Sequence, residues 1–202
     1  PEPTATPEPT VTPEPTETPT ETPTETPVVT DTTTPDSGGG ISGANITLDE
    51  LNEMLKNGNV TLTSGSITIY SGETLTLNSG YDLVLNGCVI ENYGQIVLDS
   101  GWLYNSSENG ITNYGTISVG AAGKLINESG GGFTNSATGE VTGTIMASNG
   151  GSLQNLGTFT NNGTIEIDAS SELSNNGVFT NSGTLTNYGN VSCADTTGTG
   201  TT

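Results

Sequence analysis

Two stretches decide how this chain folds: Ile90-Glu-Asn92-Tyr-Gly94-Gln-Ile96-Val-Leu98 and Ile111-Thr-Asn113-Tyr-Gly115-Thr-Ile117-Ser-Val119. They match position for position at a spacing of 21 residues. Two later stretches, Phe159-Thr-Asn161-Asn-Gly163-Thr-Ile165-Glu-Ile167 and Phe179-Thr-Asn181-Ser-Gly183-Thr-Leu185-Thr-Asn187, match at a spacing of 20. Self-similarity at a fixed period is the mark of a repeat architecture. Working outward, three apolar columns appear. The first is Leu75, Ile96, Ile117, Ile145, Ile165 and Leu185. The second is Leu83, Leu103, Leu125, Leu153 and Leu173, and the third Ile90, Ile111, Phe133, Phe159 and Phe179.

Each unit therefore holds three short strands, each with an inward pair at i and i+2, separated by Gly/Asn/Ser turns. Period-two alternation over a few residues is the signal of a half-buried strand. Strands this short, turning every few residues, cannot keep a constant 20–21 register as hairpins. A coil keeps it, because each turn lies on the last. The expected fold is all-β: a three-faced right-handed parallel β-solenoid. The step of 28 from Ile117 to Ile145 marks one turn with an insertion, expected around Glu128–Gly143.

Asparagine supplies a second signature. Asn105, Asn127, Asn155 and Asn175 follow the second column by two residues, and Asn92, Asn113, Asn135, Asn161 and Asn181 follow the third. An amide both donates and accepts, so identical amides one turn apart can bond to each other. A buried Asn needs that partner. These asparagines are read as structural ladders. Gly94, Gly115, Gly163 and Gly183 are read as supplying the positive φ of sharp corners.

Thr47-Leu-Asp-Glu50 has the form of a capping box, and Leu48, Leu51, Met54 and Leu55 share one helical face ahead of Gly58. A helix at 47–57 is expected to cover the first turn, whose open edge would otherwise template aggregation. The β-helix domain is placed at 46–195, with a Thr/Gly tail at 196–202. Six turns at about 4.8 Å make a rod of roughly 30 Å.

The entry series Leu48-Asp-Glu-Leu51 through Leu55, Gly58, Val60 and Leu62, followed by Leu83-Val-Leu85-Asn-Gly87-Cys-Val89-Ile90, resembles the start of right-handed parallel β-helices of the pectin-lyase-like superfamily. The nearest likeness within it is to the repetitive, adhesin-like surface proteins of bacteria. It covers residues 46–193 and implies fold more than function, since the superfamily includes lyases, hydrolases, adhesins and phage spikes.

Composition narrows the function. The chain has 202 residues, 22 acidic groups, two Lys or Arg in all, no His and a formal charge of -20. A nucleic-acid binder needs cations to displace phosphate counterions, and this chain has almost none. The resemblance implies, for the enzymes of that superfamily, clustered Asp with an Arg or Lys base, or Asp with His. Neither set can be placed on this sequence, so no catalytic residue, metal site or cofactor is expected. Cys88 and Cys193 are too few for a structural zinc. Both are read as inward-facing free thiols, about five turns apart, with a bond between molecules stacked end to end as the alternative.

All ten prolines lie in residues 1–35, with 14 threonines and 7 acids. Such a stretch cannot bury enough apolar surface to offset its ordering entropy. Residues 1–45 are read as an extended Thr/Pro/Glu-rich stalk or linker, a composition common in O-glycosylated exported proteins. The Gly38–Gly40 run and its flanks, 36–45, are read as a flexible joint. No run is long and apolar enough to span a membrane.

One outward patch differs from the surrounding Thr, Ser and Glu. Val84, Trp102, Tyr104, Lys124 and Ile126 are expected on adjacent turns of one face, a possible ligand or subunit contact. The reading that follows is a non-enzymatic extracellular or cell-surface scaffold, a rigid β-helical rod on a stalk. Its partners would be copies of itself, stacked end to end into a filament, or surface glycans. The alternative is a carbohydrate-binding module built on the Trp/Tyr patch.

Overall fold

A computed structural model of the chain describes residues 40–193 and 196–197. These lie in the second of two units, Ser37–Thr202. Of the stalk read at residues 1–45, residues 1–39 lie outside the described residues, as do residues 194–195 and 198–202 and the side chain of Cys193; Ile41–Ser42 and Gly43–Asn45 form a strand and a short 3-10 helix that belong to the coil.

The described residues wind into a parallel β-solenoid with three faces and six complete three-strand turns. The leucine face stacks Val60–Ser64, Leu83–Leu85, Trp102–Asn105, Lys124–Asn127, Ser152–Asn155, Glu172–Asn175 and Asn190–Cys193. The phenylalanine face stacks Ser66–Ile69, Val89–Asn92, Ile111–Asn113, Gly132–Asn135, Thr158–Asn161, Val178–Asn181 and Thr196–Thr197. The isoleucine face stacks Thr74–Leu77, Gln95–Leu98, Thr116–Val119, Thr144–Ala147, Thr164–Ile167 and Thr184–Asn187. Every pairing between turns is parallel and in register, as in Ile96↔Ile117↔Ile145.

The three columns read from the sequence form the core, and each of their residues is at most 5% exposed. Stacking like on like suits flat rings. Phe133 and Phe159 lie with centroids 4.4 Å apart and planes within 14°. Burying a large side chain contributes about 2 kcal/mol, so the columns supply the bulk of the drive to coil.

The asparagines set the register within that core. Asn92 Nδ2 donates to Asn113 Oδ1 at 2.7 Å, Asn113 to Asn135, Asn135 to Asn161 and Asn161 to Asn181, each at 2.8 Å. A second ladder runs Asn105 to Asn127 to Asn155 at 2.8 Å per step and on to Asn175 at 2.6 Å. The other amide hydrogen meets a carbonyl that starts a strand of the next turn, for example Thr116 O from Asn92 and Thr158 O from Asn127. At the head of each ladder no amide lies upstream. There the carbonyl oxygen accepts a local backbone N–H instead, from Gly94 for Asn92 and from Ser107 for Asn105. Among the described residues no buried side-chain nitrogen or oxygen lacks a partner.

The corner glycines have a different cause from the expected one. Gly94, Gly115, Gly163 and Gly183 do not have positive φ. A Cβ on Gly115 would run into the carbonyl oxygen of Gly94, and one on Gly163 or Gly183 into that of Gly143 or Gly163. Corners stack as closely as strands do, so the turn below leaves no room for a side chain. Positive φ occurs instead elsewhere, at Gly65, Gly72, Gly80, Gly87, Gly130, Gly139, Gly150 and Asn149.

The insertion is narrower than expected. Residues up to Asn135 keep the regular turn, and the extra chain is an antiparallel hairpin, Ala137–Thr138 with Val141–Thr142, turning at Gly139. It projects at the corner between the phenylalanine and isoleucine faces, where Gly143 N–H returns to Ser136 O at 2.7 Å.

The helix spans Leu48–Leu55, slightly shorter than expected, with Thr47 as N-cap in a full capping box and Lys56 as C-cap. Leu51 and Leu55 are buried on the first turn. Asn52 completes the seal: its Nδ2 donates to Thr74 O at 2.8 Å and its Oδ1 accepts Thr76 N–H at 2.9 Å. That pair of bonds is what a further parallel strand would make, so the side chain ends the isoleucine face. Ile41–Ser42, which the sequence placed in the flexible joint, pairs as an extra strand on Val60–Ser64. Two residues carry no readable period.

Replacing Asn113 by Ala strands the acceptor oxygen of Asn135 and a donor hydrogen of Asn92. We expect a loss of about 3 kcal/mol, read as a lower denaturant midpoint. Gly115→Ala should likewise lower the midpoint further than Gly58→Ala, whose added methyl meets nothing and whose backbone φ is not positive. Equal midpoints for those two glycine variants would contradict the packing account.

Candidate functional site

The outward patch forms as a contiguous group on the leucine face. Register places Val84 beside Tyr104, Tyr104 beside Ile126, and Trp102 beside Lys124. The Trp102 and Tyr104 rings are 5.9 Å apart at 52°. Lys124 Nζ sits 4.4 Å from the Trp102 ring centroid, a cation–π contact. The indole N–H donates to Ala122 O at 3.2 Å. Ile126 is buried at 5% exposure, and the other four are half-buried. Partial burial, then the charges of Asp82 and Glu128, push the Tyr104 phenol above its usual pKa. Two aromatics, two nearby carboxylates and one lysine thus meet here, with one ring face of Trp102 already covered by the lysine. The projecting hairpin stands at a corner that does not border this face.

The nine ladder asparagines are brought together inside the coil, where their amides are bonded to one another. No chemistry at a substrate is open to them. Cys88 is buried and free, and burial raises its thiol pKa. Thiolate chemistry is correspondingly suppressed. Among the described residues no three Asp, Glu or Cys side chains come together in a way that could hold a metal ion. No described helix is long and apolar enough to cross a membrane.

Two features escaped the sequence reading. Tyr70, Tyr93 and Tyr114 follow Ile69, Asn92 and Asn113, three stacked positions, so they form an outward column at the corner after the phenylalanine face. Tyr93 and Tyr114 lie ring on ring at 4.7 Å and 5°. The Asn-Tyr-Gly triplets at 92–94 and 113–115 carry this signal in the sequence, while a third at 187–189 follows the isoleucine face. The second feature is Asp168. Its Oδ1 accepts Ser171 Oγ at 2.6 Å and both the N–H and Oγ of Ser170 at 2.9 Å, while Oδ2 accepts Asn149 N–H at 2.7 Å from the turn before. These donors, Ser171 first, hold its carboxyl down to about 2. This carboxylate staples two successive corners.

The chain matches no protein-family model, no curated protein and no solved structure in comparison with each. The parallel β-solenoid stands on the strand pairing itself.

A carboxyl with a depressed folded pKa stabilises the fold above its unfolded value, near 3.9, and loses that contribution as pH falls toward 2. Wild type should therefore melt above Asp168→Asn at pH 6, and the gap in Tm should close between pH 4 and 2. A gap that stays constant over that range would exclude the staple.

Proposed function

We propose that this chain is a non-enzymatic structural protein, a rigid β-helical rod that spaces or presents surfaces outside the cell. The observation that carries the reading is the pair of amide ladders. The interior positions of every middle turn are spent on apolar columns and on amides bonded only to the chain itself, which is the chemistry of stiffness. The Thr/Pro-rich composition of residues 1–35 fits a stalk, and the likeness to adhesin-like β-helices fits surface adhesion. The reading does not need His, Arg or a catalytic carboxylate pair.

Assembly end to end into a filament is the less favoured form of this reading. Filaments of solenoids grow when one sheet edge continues another. Here Asn52 and Ile41–Ser42 already occupy the amino-terminal edges of two faces. Carbohydrate binding on the leucine face is a second reading, favoured by the adjacent Trp102 and Tyr104 with Asp82 and Glu128 nearby. A sugar stacking on Trp102 would have to use the ring face opposite Lys124 or displace that lysine.

Force spectroscopy of single chains and a glycan array separate the readings. The rod predicts unfolding in turn-sized steps at high force and equal glycan signals for wild type and Trp102→Ala. Binding of a glycan by wild type alone would favour the second reading, and unfolding at negligible force would remove the first.

A further inference from the structure

Three of the large apolar side chains that remain well exposed gather at one corner. Tyr70 is 64% exposed, Tyr93 43% and Val141 46%. The backbone explains the grouping. Tyr93 N–H bonds Ile69 O, Tyr114 N–H bonds Asn92 O, and Ser136 N–H bonds Asn113 O. Tyr70, Tyr93, Tyr114 and Ser136 are thus four successive steps of one column. The column is aromatic for three turns, over about 10 Å, and ends where the hairpin Ser136–Gly143 leaves the coil. An aromatic column, with Tyr93 and Tyr114 ring on ring, runs up to the projecting hairpin.

Its electrostatic surroundings are one-sided. Glu91 lies outward on the adjoining strand, close enough that its charge adds to desolvation in raising the Tyr93 phenol pKa. Glu73 follows the first turn of the strip, with its carboxylate on Tyr70 N–H at 2.8 Å. Glu140 is at the tip of the hairpin. The chain's two lysines are engaged elsewhere, Lys56 with Glu53 at 2.7 Å and Lys124 over Trp102.

We propose that the Tyr70–Tyr93–Tyr114 strip and the hairpin beside it form a docking surface for a basic polypeptide. Tyrosine is favoured at protein contacts because its ring adds area at little entropic cost while its hydroxyl stays wet. Guanidinium and ammonium groups pair with flanking carboxylates and stack on ring faces, here those that the Tyr93–Tyr114 pair leaves uncovered. A second copy of this chain does not fit, because each copy carries a formal charge of -20 and would repel the other. The surface is independent of the Trp102 patch and stands whether or not the rod adheres to glycans.

The test is titration of the isotope-labelled full chain with a ten-residue peptide of alternating Arg and Gly, followed by NMR. Shifts should concentrate at Tyr70, Glu91, Tyr93, Tyr114 and 136–143. A double variant, Tyr93→Ser with Tyr114→Ser, should bind at least tenfold more weakly. Serine already stands in this column at Ser136 and Ser182, so the coil accommodates it. Glu91→Gln, which alters no core position, should weaken binding several-fold and flatten its salt dependence. Shifts spread evenly over the acids of all faces, undiminished affinity in both variants, or no binding at all would each overturn the proposal.

Discussion

A buried side-chain amide has two hydrogens and an oxygen to satisfy, and in this coil another amide of the same kind, one turn away, meets that need. This constraint governs the architecture. It fixes the register of each turn on the next, even across steps of 26 and 28 residues, since a slip of one position would put an apolar or outward group opposite the amide. It fixes parallel stacking, since a reversed neighbour would present the wrong order. A neutral hydrogen bond contributes about 1 kcal/mol net, whereas an orphaned buried donor or acceptor costs about 1–3 kcal/mol. The ladders therefore act less as a source of stability than as a penalty on every other register. The leucine, isoleucine and phenylalanine columns supply the driving force, and the amides decide which coil it drives.

The rest of the structure adjusts to that stack. Where two corners come as close as two strands, glycine is required for its missing Cβ, as at Gly115 over Gly94. Where the chain takes a wider corner, charge and hydroxyls hold it, as Asp168 does for its own turn and the one before. Where the stack begins, Asn52 supplies from a helix the two bonds a missing strand would have made. The insertion leaves at a corner as a closed hairpin, so the turns on either side stay in contact. Thr144 N–H still reaches Gly115 O at 2.8 Å across it.

Much of the fold was legible because like residues recur at one spacing. The three columns, both asparagine ladders and the capping box could be read from identity and interval alone. What could not be read were effects that depend on distance between turns. The reason for Gly115 and Gly163, the strand at Ile41–Ser42, the two bonds of Asn52 and the limits of the hairpin all need coordinates. The Trp102 patch was legible as a juxtaposition, but the placement of Lys124 over the indole was not. The tyrosine column sat in the opening stretch, at Tyr93 and Tyr114, yet its exposure follows only from the corner it occupies. Function is harder to read, because an inward-directed repeat spends its regularity on the fold.

Side-chain amide NMR tests the central idea directly. If Asn113 and Asn135 are bonded as described, their NH2 resonances will exchange with solvent far more slowly than that of exposed Asn162, and cross-peaks will link Asn92 to Asn113 and Asn113 to Asn135. Fast exchange at these amides, with no contacts between residues 21 or 22 positions apart, would mean that the coil is held by something else.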